Sequence, residues 1–468
     1  MTSTYNMPRT GRAGRVKGRA LPLASIILLA VSLVACDSKR VLEVTDPDVA
    51  KPISLSGAAA IPVVYAGAVG DFALAFGGNT TTEGELGYSA LLTDEYLNAE
   101  TFPTRIEIDQ RSTTADNSNI AAVFRATEKA RASADFASAK IASVNPNDVR
   151  RSETISLAGF MIDMMGEDYC SGAPISKLTD VGEVIFGDPQ TTAQLWDDAI
   201  AKFDTAITVA TAAGANGTTQ LNLARIGKAR ALMNKGDYAA AAALVSAIPT
   251  NFVYLVRYSL NTSRENNGVF FWNQNNRRFT PTDVEGINGL PYRTDNDPRV
   301  RQTLITTTTG FDGVTPLWIA NAPANTWAPQ GKYPVRDASI PLATGLEARL
   351  IEAEAALKAG NTVGYLTAIN AEQSAQGVTL SSLPATFDDQ VNLLFKERAY
   401  SLWLTAHRLG DMRRLIRQYG RNSETVFPTG TFFHSGAASG SYGTDVNLVI
   451  PNQEKNNPNF TGCLDRAA

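Results

Sequence analysis

The chain has 468 residues, 44% of them hydrophobic and 19% charged, with a formal net charge of −4. That composition supports a substantial buried core and argues against disorder over most of the length. The acidic balance and the lack of basic runs in the body of the chain argue against a nucleic-acid partner, which would need a basic patch.

Residues 1–20 carry Arg9, Arg12, Arg15, Lys17 and Arg19 and no acid, and an apolar run, residues 21–35, ends at Cys36. This is the order of a secretory signal, and the run is shorter than the ~20 residues a spanning helix needs. The ending "LVAC" resembles a lipobox, with Leu33 as its apolar position and Cys36 as the lipidated residue. Two or three acyl chains, at ~0.8 kcal/mol per buried methylene, anchor a protein stably where one does not. Taking the five leader charges from 42 basic residues leaves 37 against 46 acidic ones, a formal charge of −9.

After the leader, "KRVLEVTDPDVAKPISLSGAAAIP" reads as an extended tether with a helix start near Ser54, and residues 57–78 as one helix. "LGYSALLTDEYLNAETFP" is an apolar-periodic segment stopping before Pro103. "NIAAVFRATEKARASADFASAKIAS" predicts a long helix, and "RRSETISLAGFMIDMMGEDYC" another, ending at Gly166. In "TTAQLWDDAIAKFDTAITVATAAG", Trp196, Ile200, Phe203 and Ile207 share one helix face, and Gly214 supplies the stop. Asp197, Asp198 and Asp204 then fall on the solvated face.

"TQLNLARIGKARALMNKGDYAAAAALVSAIP" predicts two helices joined at "KGDY", with small residues such as Gly227, Ala231 and Ala240 where they cross. That is a tetratricopeptide-like hairpin. "GLEARLIEAEAALKAGNTVGYLTAINAEQSAQG" repeats the pattern. Between the hairpins the texture changes to Asn, Thr, Gly, Pro and aromatics, which reads as loops with a few short strands. The tail after Gly420 is similar. The fold class is therefore mostly α: a tetratricopeptide-like helical hairpin scaffold with an irregular loop-rich region containing a few short strands.

The expected organisation is a signal at 1–35, a lipidated tether at 36–55, helical scaffold at 56–250, a loop-rich ligand-binding region at 251–344, a second helical part at 345–420, and a C-terminal tail at 421–468. Two cysteines remain after Cys36, Cys170 and Cys463. In an exported chain they favour one disulfide over two free thiols. So few cysteines and histidines, unclustered, do not make a metal site.

The stretch "LLFKERAYSLWLTAHRLGDMRRL", residues 393–415, combines acids, arginines and His407. On one continuous helix, Phe395, Ala399, Leu402, Ala406 and Leu409 form an apolar face. Glu397, Arg408 and Asp411 then form an ion-pair stripe, with His407 off it. The stretch therefore reads as architecture rather than as an active site.

Several segments in order resemble the SusD/RagB family of nutrient-binding lipoproteins. They are the lipobox followed by "VLEVTDPD", then "LLTDEY", "TDNDPRVRQTL" and "YPVRDASIPLATGLEARLIEAEAAL". The stretch at 393–415 and "VNLVIPNQEKNNPNF" complete the set. The "INAEQSAQG" segment lacks the arginine often found there in that family. The resemblance implies an outer-membrane, lipid-anchored protein facing the cell surface. It would bind a glycan or oligopeptide and deliver it to a TonB-dependent transporter, without cofactor or covalent chemistry. A hydrolase and a helical scaffold lipoprotein without small-ligand binding are the alternatives.

No Gly-rich phosphate loop after a strand, no Cys–His pair and no His-x-x-His spacing is present in the sequence. Sugar rings stack on flat aromatics while Asn, Asp and Arg serve the hydroxyls. The candidates are therefore Trp272, Asn273, Asn275, Arg277, Tyr292, Trp318 and Trp327. Tyr88 and Tyr96 are weaker candidates, and His434 reads as a solvated loop residue.

Overall fold

The computed structural model describes residues 55–179, 183–320, 332–433 and 439–468. The expected leader, Cys36, Trp327 and His434 lie outside the described residues.

The first half is built from long helices. Helix α1 (Ile61–Gly77) has Pro62 in its first turn, where a missing N–H costs nothing. Helix α2 (Gly84–Leu92) is wholly buried. The segment around it does not continue as one periodic element. The Thr93 hydroxyl turns back onto the carbonyls of Ser89 and Ala90, and the chain becomes strand β1 (Tyr96–Asn98) and helix α3 (Pro103–Asp109).

Helix α4 (Ser118–Val144) is capped by the Asn117 side chain, and α5 (Val149–Asp168) by Asp148. Helix α6 (Thr192–Ala212) opens with a capping box of Thr191 and Gln194. Helices α7 (Thr218–Lys235) and α8 (Tyr238–Val245) form the expected hairpin, turned at Gly236 with φ 83°.

Small residues set the closest crossings. The Phe203 ring of α6 lies between α5 and α7, edge-on to Phe160 with ring centroids 5.1 Å apart. A Cβ on Gly159 would sit 3.0 Å from that ring, and one on Gly227 only 2.3 Å from it. Both neighbours are packed aromatics, so neither can yield cheaply. Gly227→Val is expected to cost about 1–3 kcal/mol by overpacking. A urea titration followed by circular dichroism measures it, and an unchanged midpoint would refute this packing account.

Strand β2 (Val253–Val256) leaves the scaffold. Strand β3 (Phe279–Pro281) and the hairpin of β4 (Gln302–Thr309) and β5 (Pro316–Ala320) follow. The chain returns on β6 (Ile340–Thr344), which pairs antiparallel with β2, Ile340 opposite Val256. The whole excursion thus starts and ends at one two-stranded neck.

Helix α9 (Gly345–Lys358) follows, capped by Thr344, then α10 (Thr362–Ala375), α11 (Phe387–Ser401) and α12 (Arg408–Tyr419). The hairpin of β7 (Thr431–Phe433) and β8 (Ser439–Ser441) precedes the tail. One main core runs from Val64 to Phe460, and a smaller cluster from Leu350 to Leu402 fills the space under α9, α10 and α11.

The stretch 393–415 is not one helix. Its chain reverses between α11 and α12, with Leu404 at φ 53° and Ala406 at φ 62°. Buried partners hold the reversal: Leu404 N–H donates to Glu95 at 2.9 Å, Tyr333 O–H donates to the Leu404 carbonyl at 2.8 Å, and Lys332 donates to the Trp403 carbonyl. Glu397, Arg408 and Asp411 therefore do not line one face. Each pairs separately: Glu397 with Arg299 at 2.6 Å, Arg408 with Asp94 at 2.7 Å, Asp411 with Arg398 and Arg414 at 2.8 Å each. Burial alone would raise the Asp411 carboxyl, but the two arginines hold it down at about 2. His407 is buried with Nε2 3.4 Å from Glu347.

The same kind of bond joins the two helical parts. Arg230 of α7 forks onto Glu347 of α9 at 2.8 and 2.9 Å, and Arg414 of α12 reaches Glu354 of α9 at 2.6 Å. The disulfide Cys170–Cys463, Cα atoms 5.9 Å apart, ties the tail to the segment after α5. It is reinforced by Cys170 N–H donating to the Leu448 carbonyl at 2.9 Å.

Candidate functional site

The site is carried by short strands that depend on side chains for their spacing. Strands β1 and β3 pair with Leu97 opposite Thr280. The Thr280 hydroxyl accepts from Trp318 N–H at 2.8 Å and donates to the Pro316 carbonyl at 3.2 Å, joining β3 to β5. Asn273 donates to the carbonyls of Phe279 and Trp318, at 2.8 and 2.9 Å. This buried amide is a strand clamp.

The sequence candidates divide by exposure. Trp272 is buried, its indole N–H donating to the Thr82 carbonyl at 3.2 Å. Tyr292 is fully enclosed between Tyr400 and Trp403 and donates to Asp94 at 3.3 Å. Tyr88 and Tyr96 are equally buried. Asn275 is exposed, and half-buried Arg277 is committed to the Thr308 hydroxyl and the Thr309 carbonyl. Of the described candidates, Trp318 is the one that lines a large concavity.

That concavity has a volume of about 650 Å³. Clefts of roughly 300–1,000 Å³ take small molecules and short oligomers. Its walls come from β3, the loop at 282–287, β5 and the base of the β7–β8 hairpin. Five threonines, Thr280, Thr282, Thr315, Thr429 and Thr431, face it together with Leu97, Pro281, Val284, Ile287 and Pro316. Ile287 is 73% exposed, an unusual cost for an isoleucine without a partner.

Two charged features complete it. The Arg293 guanidinium stacks 3.9 Å over the Trp318 ring and lies 3.5 Å from Asp283, whose carboxylate also accepts the backbone N–H groups of Arg293 and Thr294. Deeper in, Tyr442 O–H donates to Glu285 at 2.9 Å. Burial, with the Asp109 charge nearby, pushes the Glu285 carboxyl well above the usual carboxylate range.

Sequence reasoning missed a neighbouring feature. Phe102 and Phe311, 46% and 45% exposed, stand with ring centroids 6.3 Å apart. Arg278 lies against both, 4.9 Å from one ring and 4.1 Å from the other, and is held by Glu100. The tip of the β4–β5 hairpin is pinned there by Asp312 N–H to the Ala99 carbonyl at 3.0 Å and Phe311 N–H to the Arg277 carbonyl at 2.8 Å. Segments 97–102 and 310–318 thus supply both the aromatic pair and part of the concavity. The available signal was "GFDG", an aromatic at a turn tip between a threonine-rich strand and the apolar strand that carries Trp318.

No family model matches the sequence, and no curated protein matches it. Solved structures do. One is a SusD-like carbohydrate binding protein from Bacteroides vulgatus: TM-score 0.61, 10% identity, covering 86% of this chain and 97% of that one. A SusD superfamily protein from Bacteroides thetaiotaomicron gives 0.60 and 15%, covering 86% and 99%. Another from Parabacteroides distasonis gives 0.61 and 12%, covering 86% and 98%. The chain has the SusD-like fold, mostly α with small two-stranded sheets.

Proposed function

We propose that this protein captures a glycan at the face formed by Trp318, Phe102 and Phe311, is held to the outer membrane by a lipid on Cys36, and passes its ligand to a TonB-dependent transporter. The observation that carries the reading is the half-buried Trp318 in a threonine-lined concavity beside an exposed aromatic pair. Apolar sugar faces stack on such rings, and hydroxyl and guanidinium groups serve the sugar oxygens. The fold supports it, since similar structures include proteins described as carbohydrate binding. Thr429, Thr431 and the Arg293 guanidinium supply the polar groups for a glycan, since the Thr280, Thr282 and Thr315 hydroxyls bond within the protein.

Hydrolysis is the weaker reading. It needs one carboxyl to act as acid and another as base or nucleophile. Asp283 is tied to Arg293 and two backbone N–H groups, and Glu285 is bonded to Tyr442.

A glycan array followed by calorimetry on the best hit tests the proposal. Trp318→Ala and Phe311→Ala are each expected to weaken binding at least tenfold, at the level of an interface hot spot. The melting temperature should stay close to the parent value. Turnover of the glycan, or full affinity in both variants, would overturn the reading. Co-purification with a barrel transporter from detergent-solubilised membranes tests the delivery step.

A further inference from the structure

A second pocket lies on the helical scaffold, on elements that line no part of the concavity at Trp318. It has a volume of about 250 Å³ and is walled by α1, α5, the start of α7 and β2. Its apolar lining includes the half-buried Val69 and Leu255, with Phe72 and Leu157 enclosed behind them.

One acid and one base line it, Glu153 and Arg257. Glu153 is only 8% exposed. Its Oε1 accepts from the hydroxyls of Tyr65 and Tyr254, at 2.9 and 2.7 Å, and its Oε2 accepts from the Gln220 amide at 3.2 Å. A carboxylate offers about four acceptor positions, so one is left. Burial and the Glu153 charge push both tyrosine hydroxyls above their ordinary range, which keeps them protonated as donors. Arg257, by contrast, is exposed and makes no ion pair or hydrogen bond among the described residues.

Burying a carboxylate costs several kcal/mol unless it is paired. The groups around Glu153 are neutral donors. Of the two bases that precede it on its own helix, Arg150 is bonded to Asp148 at 2.6 Å and Arg151 donates to the Pro146 carbonyl at 2.7 Å. The pocket therefore has a buried anion short of a cation, an outward cation short of an anion, and apolar walls. Its volume lies just below the roughly 300–1,000 Å³ usual for small-molecule sites, so a ligand must be of few heavy atoms. We infer that this pocket binds a small zwitterion of the α-amino-acid class, its ammonium on Glu153 among the tyrosine rings, its carboxylate on Arg257, and an aliphatic side chain against Val69 and Leu255. Such a site would let the protein hold a second nutrient class, independently of the glycan face.

Isothermal titration of the purified full chain tests it with three probes of one shape: L-leucine, isopentylamine and 4-methylpentanoate. L-leucine is expected to bind at least tenfold more tightly than either single-charge analogue. Glu153→Gln and Arg257→Gln should each weaken it at least tenfold, with glycan binding unchanged. Arg257 is exposed, so its variant remains informative should Glu153→Gln destabilise the fold. No heat with millimolar L-leucine, equal affinity for an analogue, or an Arg257→Gln variant that binds like the parent would overturn the inference.

Discussion

Arg408→Ala is expected to destabilise the protein by about 3–5 kcal/mol, the cost of stripping one partner from a buried ion pair. The Arg408 guanidinium donates from Nε and Nη2 to the two oxygens of Asp94, at 2.7 and 2.9 Å, and both side chains are almost wholly buried. Asp94 also accepts Leu290 N–H at 2.9 Å and Tyr292 O–H at 3.3 Å. One carboxylate thus joins α12, the segment after α2 and the excursion that carries the site. Without Arg408 that carboxylate stays enclosed, with neutral donors alone against its charge.

The double variant Asp94→Asn, Arg408→Met removes both charges and should recover part of the loss, because deleting a whole buried pair is often near neutral. Urea unfolding measures both effects. Ligand affinity of the folded fraction should change less than twofold, since neither residue lines the concavity. A single variant as stable as the parent would show that the pair is not structural.

Loss of the Cys170–Cys463 bond is expected to cost about 2–5 kcal/mol, the usual range for a native disulfide in the chain-entropy view. The bridged residues are 293 apart in sequence, so the bond restricts a large part of the unfolded chain. The native tail has other ties. Arg413 of α12 donates to the Ala467 carbonyl at 3.3 Å, Arg111 donates to the Asp445 carbonyl at 2.9 Å, and Asn447 donates to the carbonyls of Arg466 and Ala467 within the tail itself. The double variant Cys170→Ser, Cys463→Ser should therefore melt earlier while keeping its helical circular dichroism at 25 °C. Equal melting with and without reductant would mean the bond contributes nothing.

The helices could be read because each long one buries a periodic stripe and is bounded by local chemistry: the Thr191 capping box, the left-handed Gly236, the Thr344 cap. The break between α11 and α12 could not. Its residues "LWLTAH" hold no glycine or proline, and the apolar period runs through unbroken because the turn is itself buried. What bends the chain there is Glu95, Lys332 and Tyr333, far away in sequence.

The site shows the same division. Composition picked out the aromatic-rich excursion, but it could not separate Trp272 and Tyr292, which are enclosed, from Trp318, which is half-open. Strand pairing decides that, and strands of three to five residues leave too little pattern to read. Phe102 and Phe311 meet only because the hairpin tip is pinned to Ala99.

The neck between β2 and β6 bears on how this protein can change. Val256 and Ile340 stand opposite each other, so the ends of the excursion meet whatever lies between them. Lengthening a closed loop is cheap, about 0.6 kcal/mol per doubling. New binding specificities can therefore arise by insertion, deletion or wholesale exchange between residues 257 and 339, with the helices untouched. The inheritance has conditions: a replacement segment must still bring an arginine to Glu397, as Arg299 does at 2.6 Å, a donor to Asp94, as Tyr292 does, and donors to the carbonyls of Trp403 and Leu404, as Lys332 and Tyr333 do. Those contacts are the terms on which one scaffold can lend itself to many ligands.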